Sequence, residues 1–165
     1  MGKRSNFERI ERDFYETPYE AVLPLLPFLP SLTWYWEPCV GDGALVKHLN
    51  QFGLRCFSSS DIEYDARSSI YPVHMFDYFI TNPPWSRDIL HPIIENLAGQ
   101  RPTWLLFDAD WMHTKQSHEL IQYCQKIVSV GRLKWIPDSP YTGKDNCCWY
   151  LFGSSKYGGA TFHGR

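Results

Sequence analysis

Asn82-Pro83-Pro84-Trp85 closes the apolar run Phe76-Asp77-Tyr78-Phe79-Ile80-Thr81 and carries the clearest chemical potential of the 165 residues. Two successive prolines fix two backbone φ angles, so a side-chain amide and main-chain carbonyls stand in a stiff turn beside a flat ring. An amide oxygen and a carbonyl can together accept both hydrogens of an exocyclic amine, while the indole stacks on the ring that bears it. That set suits a weakly nucleophilic planar nitrogen, assisted by positioning and electrostatics rather than by a strong base. A diproline turn with a buried Trp is the purely structural alternative.

A second constellation lies upstream. In Glu37-Pro38-Cys39-Val40-Gly41-Asp42-Gly43, placed between a β-prone run and a helical one, Gly41 and Gly43 permit a tight turn and close approach of backbone to a ligand. The dinucleotide fingerprint G-x-G-x-x-G is incomplete, since Val46 stands where its third glycine belongs. A nicotinamide cofactor is therefore the lesser option. Asp61 ends the next strand, roughly 20 residues beyond the turn, where a carboxylate can accept both hydroxyls of a ribose. A capped turn at Asp61, and a plain helix N-cap at Thr17 in Asp13-Phe14-Tyr15-Glu16-Thr17-Pro18, are the structural alternatives.

Together these motifs resemble the S-adenosylmethionine-dependent amino-methyltransferases, which include the adenine-N6 DNA methyltransferases. The resemblance covers Asp13 to Trp85, about half the chain. It implies S-adenosyl-L-methionine as cofactor, held by Tyr15, Thr17, Pro18, Glu37, Pro38, Gly41, Gly43, Asp61 and Asn82, with Asn82, Pro83, Pro84 and Trp85 catalytic. No residue between Asp65 and Met75 stands out for the cofactor's adenine; Asp77 is a candidate, with a plain strand-start residue as its alternative. Trp111, just past a strand in Asp108-Ala109-Asp110-Trp111, and Lys144, in Thr142-Gly143-Lys144-Asp145-Asn146, are candidate substrate contacts. A packed Trp and a solvated turn are their structural alternatives.

The motif order, cofactor before catalysis, is that of the gamma arrangement, whose DNA enzymes commonly carry a target-recognition domain. This chain ends at Arg165 without space for one, and its last segment is similar to compact phage-encoded enzymes. Adenine in DNA with short or relaxed specificity is therefore the expected acceptor. RNA adenine, protein glutamine, or a non-catalytic cofactor-binding subunit with a separate recognition partner remain alternatives.

The elements that must position these residues follow from periodicity. Strands are expected over Thr33–Trp36, Leu54–Ser59, Phe76–Thr81, Thr103–Phe107, Ile127–Ile136 and Cys147–Phe152, and helices over Tyr19–Leu26, Ala44–Phe52, Ile89–Leu97 and Ser117–Cys124. Ala66 to Met75 is too short for a further strand-helix unit. Alternation followed by two late strands implies a mostly parallel α/β sheet with a C-terminal antiparallel strand, and the resemblance implies that this is the Rossmann-like methyltransferase fold with seven strands. The expected organisation is a flexible arm over 1–12 and one catalytic domain over 13–165. Lys3, Arg4, Arg9 and Arg12 of the arm would address phosphates.

Composition narrows the partners. A net charge of -2 argues against a strongly basic coat for nucleic acid, although a local basic face remains compatible with it. The five Cys include no C-x-x-C pair, and neighbouring Cys147 and Cys148 point to opposite faces of a strand, so no metal site is expected. The odd count and lack of a leader pattern suggest a reduced, intracellular protein, and the resemblance implies the cytoplasm of a bacterial or phage-infected cell. Pro24, Pro27 and Pro30 interrupt the longest apolar stretch, so no membrane span is expected.

Overall fold

Strand direction decides where the motifs meet. The computed structural model describes residues 15–165. The arm over 1–12 and motif residues Asp13 and Phe14 lie outside the described residues. Strands β1 (Trp34–Glu37), β2 (Arg55–Ser59), β3 (Tyr78–Thr81), β4 (Thr103–Asp108), β5 (Cys124–Arg132), β6 (Asn146–Phe152) and β7 (Thr161–His163) form one sheet in the order β2-β1-β3-β4-β6-β5-β7. The pairs β1–β2, β1–β3, β3–β4 and β5–β7 are parallel, and β6 runs antiparallel between β4 and β5. This is the mostly parallel seven-stranded sheet with a late antiparallel strand that the sequence implies.

The chain ends of β1 to β4 therefore share one edge, which collects Glu37, Asp61, Asn82 and Asp108. Because β6 starts where β4 and β5 end, with Cys147 opposite Asp108 and Asn146 opposite Arg132, the loop 133–145 returns to that same edge. The inserted antiparallel strand thus delivers a loop to the site rather than merely extending the sheet.

Alternating side chains split the core in two. Phe79, Leu105, Phe107, Tyr150 and Phe152 face α3 (Arg87–Gln100), which buries Leu90, Ile93, Ile94 and Leu97 against them. Ile80, Trp104, Leu106, Trp149 and Leu151 face α1 (Tyr19–Val22) and α2 (Ala44–Asn50), which supply Ala21, Val22, Leu45 and Leu49. Trp149 Nε1 donates to the Ala21 carbonyl at 2.7 Å, which pins the N-terminal segment to β6. Cys147 and Cys148 fall in opposite cores.

Several bounds differ from expectation. The first helix ends at Val22, since Pro24 and Pro27 lack the N–H groups a longer helix needs, and a 3-10 turn follows over Leu26–Phe28. The fourth helix, α4, is a single turn, His118–Ile121. Strand β5 begins earlier and stops at Arg132, after an irregularity at Gly131, whose φ of 87° breaks the extended path. The seventh strand is β7, three residues on the far edge with no apolar alternation to announce it. No helix among the described residues is long and apolar enough to cross a membrane.

Candidate active site

The glycine turn after β1 is closed almost entirely by its own backbone. Gly43 N donates to Val40 O at 2.9 Å, Lys47 N to Gly43 O at 3.0 Å, and Ala44 N to Asp42 Oδ1 at 3.1 Å. Gly41 and Gly43 have φ of 53° and 86°, values that disfavour a Cβ. Nothing stands within 4 Å of a Cβ built on Gly43, so its requirement is conformational rather than spatial. Val40 N donates to Ser60 O and Ser60 N to Glu37 O, both at 2.9 Å, which locks the turn to the end of β2 and brings Asp61 beside it.

Glu37 is the anomaly of this half. Its side chain is 1 % exposed and accepts from Cys39 N at 3.0 Å, with no cation paired to it among the described residues. Burial pushes its carboxyl up to about 8, against the smaller opposing help of the Thr81 hydroxyl and the Cys39 amide. Thr81 Oγ1 is buried near enough to favour that carboxylate but makes no well-formed hydrogen bond to a described residue. A buried carboxyl with no cation beside it, next to a buried hydroxyl, has the chemistry that a cationic amine would satisfy. Pro38 is buried beneath the turn. Asp61 accepts from Ile62 N through Oδ1 at 2.9 Å, while its Oδ2 accepts nothing among the described residues. The neighbouring Ile62, 66 % exposed, offers an apolar face that sequence reasoning passed over.

At the end of β3 the motif is held from several directions. Asn82 Nδ2 donates to Thr17 Oγ1 at 3.2 Å and more weakly to Tyr15 O at 3.5 Å, and Asn82 Oδ1 accepts from Trp85 Nε1 at 3.3 Å. The carboxamide is thereby oriented with one oxygen lone pair left over. Thr17 is buried, and Pro18 stands at the N-cap of α1. Glu16 meets Asp42, whose hydrogen bond and charge raise the Glu16 carboxyl. The segment 15–18 therefore touches both the glycine turn and the Asn82 turn.

Trp135 is the residue that sequence reasoning missed. It stands edge-on to Trp85 with ring centroids 5.5 Å apart and lies 6.2 Å from the Tyr15 ring. Its sequence position reads as the end of a strand, Ile127–Ile136, and only the stop of β5 at Arg132 puts it in the loop.

The fold takes two expected contacts, Asp77 and Trp111, away from the site and leaves a third, Lys144, on its edge. Asp77 precedes β3 and accepts from Trp34 N at 2.9 Å, at the edge opposite the site, so it cannot serve the cofactor's adenine. Trp111 is 4 % exposed, packs edge-on to Phe107 and Tyr150, and donates from Nε1 to His91 Nε2 at 3.0 Å. That is a core position with no open face for a substrate. Lys144 is exposed in the loop that returns to the site edge. No group of three metal-ligating side chains occurs among the described residues.

No family model and no curated protein matches the chain. Among solved structures it is similar to a TehB-like SAM-dependent methyltransferase from Corynebacterium glutamicum, with a TM-score of 0.52 and 11 % identity over 83 % of this chain and 88 % of that one. It is also similar to a dimethyladenosine transferase from Plasmodium falciparum, with a TM-score of 0.47 and 11 % identity over 84 % and 61 %. A precorrin 8w decarboxylase from Methanobacterium thermoautotrophicum gives 0.43 and 10 % over 87 % and 96 %. The first likeness shows the Rossmann-like methyltransferase fold.

Proposed function

We propose that the chain is an S-adenosylmethionine-dependent methyltransferase acting on the N6 amine of adenine in DNA, with short or relaxed sequence preference. The observation that carries this reading is the oriented Asn82 carboxamide at the end of β3, on the edge that also holds Glu37 and the Gly41 to Gly43 turn.

The residues present fit the cofactor. Glu37, lacking a cation and flanked by the unpartnered Thr81 hydroxyl, suits the methionine amino group. The glycine turn lets backbone approach the ligand, Asp61 Oδ2 is available to ribose hydroxyls, and Tyr15, Thr17 and Pro18 form the wall between the two halves. Bound there, S-adenosylmethionine supplies an electrophilic methyl group on its sulfonium.

The chain's own residues address the acceptor. An adenine N6 lone pair is delocalised into the ring, so it needs redirection more than deprotonation. Asn82 Oδ1, with its remaining lone pair, and the Pro83 carbonyl accept the two N6 hydrogens and turn the nitrogen toward the methyl donor. The N6 proton becomes acidic only after nitrogen has gained the methyl group, and it then leaves along the same hydrogen bonds to solvent. Pro83 and Pro84 keep the acceptors stationary, which is where preorganisation lowers the barrier. The aromatic corner of Trp85 and Trp135 offers the base a wall. From duplex DNA the base must first be extruded.

The test is incubation with methyl-labelled cofactor and, separately, duplex DNA, single-stranded DNA, RNA and protein extract, followed by mass spectrometry of nucleosides and peptides. N6-methyladenine from DNA in many sequence contexts is expected. Label confined to RNA or to glutamine replaces the acceptor, and label in no fraction overturns the activity.

A further inference from the structure

We infer that the loop between β5 and β6 forms a docking groove for the single-stranded nucleic-acid segment flanking the target base, with Arg132 and Lys144 on phosphates and Tyr141 stacked on a base. The inference rests on the proposed function for what the strand delivers, but not for the binding itself.

The groove has a volume of about 380 Å³ and is lined by Arg132, Tyr141, Thr142, Gly143 and Lys144. Its place is set by the antiparallel strand. Arg132 ends β5 opposite Asn146, the first residue of β6, so the groove opens on the edge that carries Asn82. Gly143 N donates to Leu133 O at 2.8 Å, and a Cβ on Gly143 would stand 3.0 Å from the Trp135 ring. Trp135 in turn meets Trp85 edge-on. One indole thus separates the groove from the acceptor turn, and a strand lying in the first has a neighbouring base at the second.

The lining has the chemistry of a strand-binding surface rather than of a small-molecule pocket. Tyr141 is 69 % exposed, and a large ring so open has little packing role. Neither Arg132 nor Lys144 makes an ion pair among the described residues, where the one such pair is Arg67 with Asp65. Two unpaired cations beside an open ring reproduce the elements of sequence-tolerant single-strand binding, phosphate neutralisation plus stacking. Lys134 adds to the cations of the same loop, and Asp138 and Asp145 partly offset them, so attraction is local and modest. That agrees with a chain of net charge -2.

The experiment measures anisotropy of labelled single-stranded DNA and RNA oligonucleotides and of a duplex, without cofactor, across a salt series. R132E/K144E is expected to weaken single-strand binding at least tenfold at low salt. It should also lower the salt slope by about 1.4, from two phosphates at roughly 0.7 each. Tyr141→Ala is expected to weaken binding by about tenfold at every salt, in the range of one lost base stack. R132Q/K144Q reads the same contrast should charge reversal unfold the chain, and calorimetric titration with S-adenosylmethionine checks that the site survives. Lys156→Glu, in the loop after β6 at the opposite edge, should stay within about twofold, as a surface charge remote from the strand would.

Unchanged single-strand affinity in both R132Q/K144Q and Tyr141→Ala overturns the inference, as does displacement by polyglutamate as readily as by unlabelled oligonucleotide. Wild-type binding lost in these variants, with no methyl transfer to any acceptor, sinks the proposed function and leaves the groove standing. Methylation by R132E/K144E at the wild-type KM for the strand does the reverse. Preference between the DNA and RNA arms identifies which strand the groove receives.

Discussion

The two halves of the site edge are built by different means. The turn from Glu37 to Gly43 is held mostly by partners a few positions away, Cys39 on Glu37, Gly43 on Val40 and Ala44 on Asp42, with Ser60 alone tying it to the end of β2. The Asn82 turn is held by Thr17, 65 positions upstream, and by Trp135 from the loop after β5. The first half fails through local causes, a dihedral angle or a buried charge. The second fails when separately folded segments stop docking on one another, so its geometry is the more exposed to distant substitutions.

The sharpest way to break this division is Asn82→Ala. It removes the acceptor and the anchor of Thr17 together, and turnover should fall by at least ~100-fold, on the order of 3 kcal/mol for one preorganised group. Cofactor affinity, measured calorimetrically, should move by far less. Turnover near wild type would take the chemistry away from this half altogether.

The glycine half is tested through Glu37, whose carboxyl is pushed up to about 8 by burial. A cationic amine beside it favours the carboxylate, so cofactor binding below pH 8 expels the proton. Affinity should therefore rise with pH by up to about tenfold per unit until that point, with calorimetric heats that vary with buffer ionisation enthalpy. In the free protein the sign is opposite. The folded state keeps a proton that the unfolded chain loses near its ordinary carboxylate pKa, so stability falls as pH rises from the ordinary range through about 8. Urea melts across that window should show the fall in wild type and lose it in Glu37→Gln if Glu37 is the source, and parallel curves would exonerate it.

Gly43→Ala probes the same turn without charge. With open space at the Cβ but φ at 86°, the cost is the left-handed conformation alone, roughly 1–2 kcal/mol. Denaturant midpoints give the number, and a loss well above it would mean that the change also disturbs the bonds from the turn to Ser60. The smallest effect belongs to the aromatic corner. A double-mutant cycle of Trp85→Ala and Trp135→Ala should return a coupling of about 0.5–1.5 kcal/mol. Zero coupling would detach the β5–β6 loop from the acceptor half.

Most of the sheet was legible because its signals are local. The runs that became β1 to β4 and β6 are short and bounded by glycine or proline, all but β2 are largely apolar, and each lies within two residues of its expected position. Strand β7 was not legible, since two of its three residues are exposed and an edge strand needs no apolar face. The β5 bounds were misjudged because Leu133 to Ile136 continue the β-prone composition while Gly131 turns the backbone away. Asp77 has the right chemistry at the wrong end of its strand, and Trp111 has the right neighbourhood in sequence but a buried ring.

By itself the sequence determined the order of the motifs, the stiff Asn-Pro-Pro turn, the glycine pair and the expectation of a mostly parallel sheet, all properties of residues close together in the chain. Tertiary structure alone decided that Thr17 grips Asn82, that Glu37 is sealed without a cation, and that Trp135 and the groove beside it return to the catalytic edge. The physical reason is strand direction. Inserting β6 antiparallel between β4 and β5 sends the β5–β6 loop to one edge rather than the other, and that choice is made by pairing across the sheet, not by any pattern within the loop.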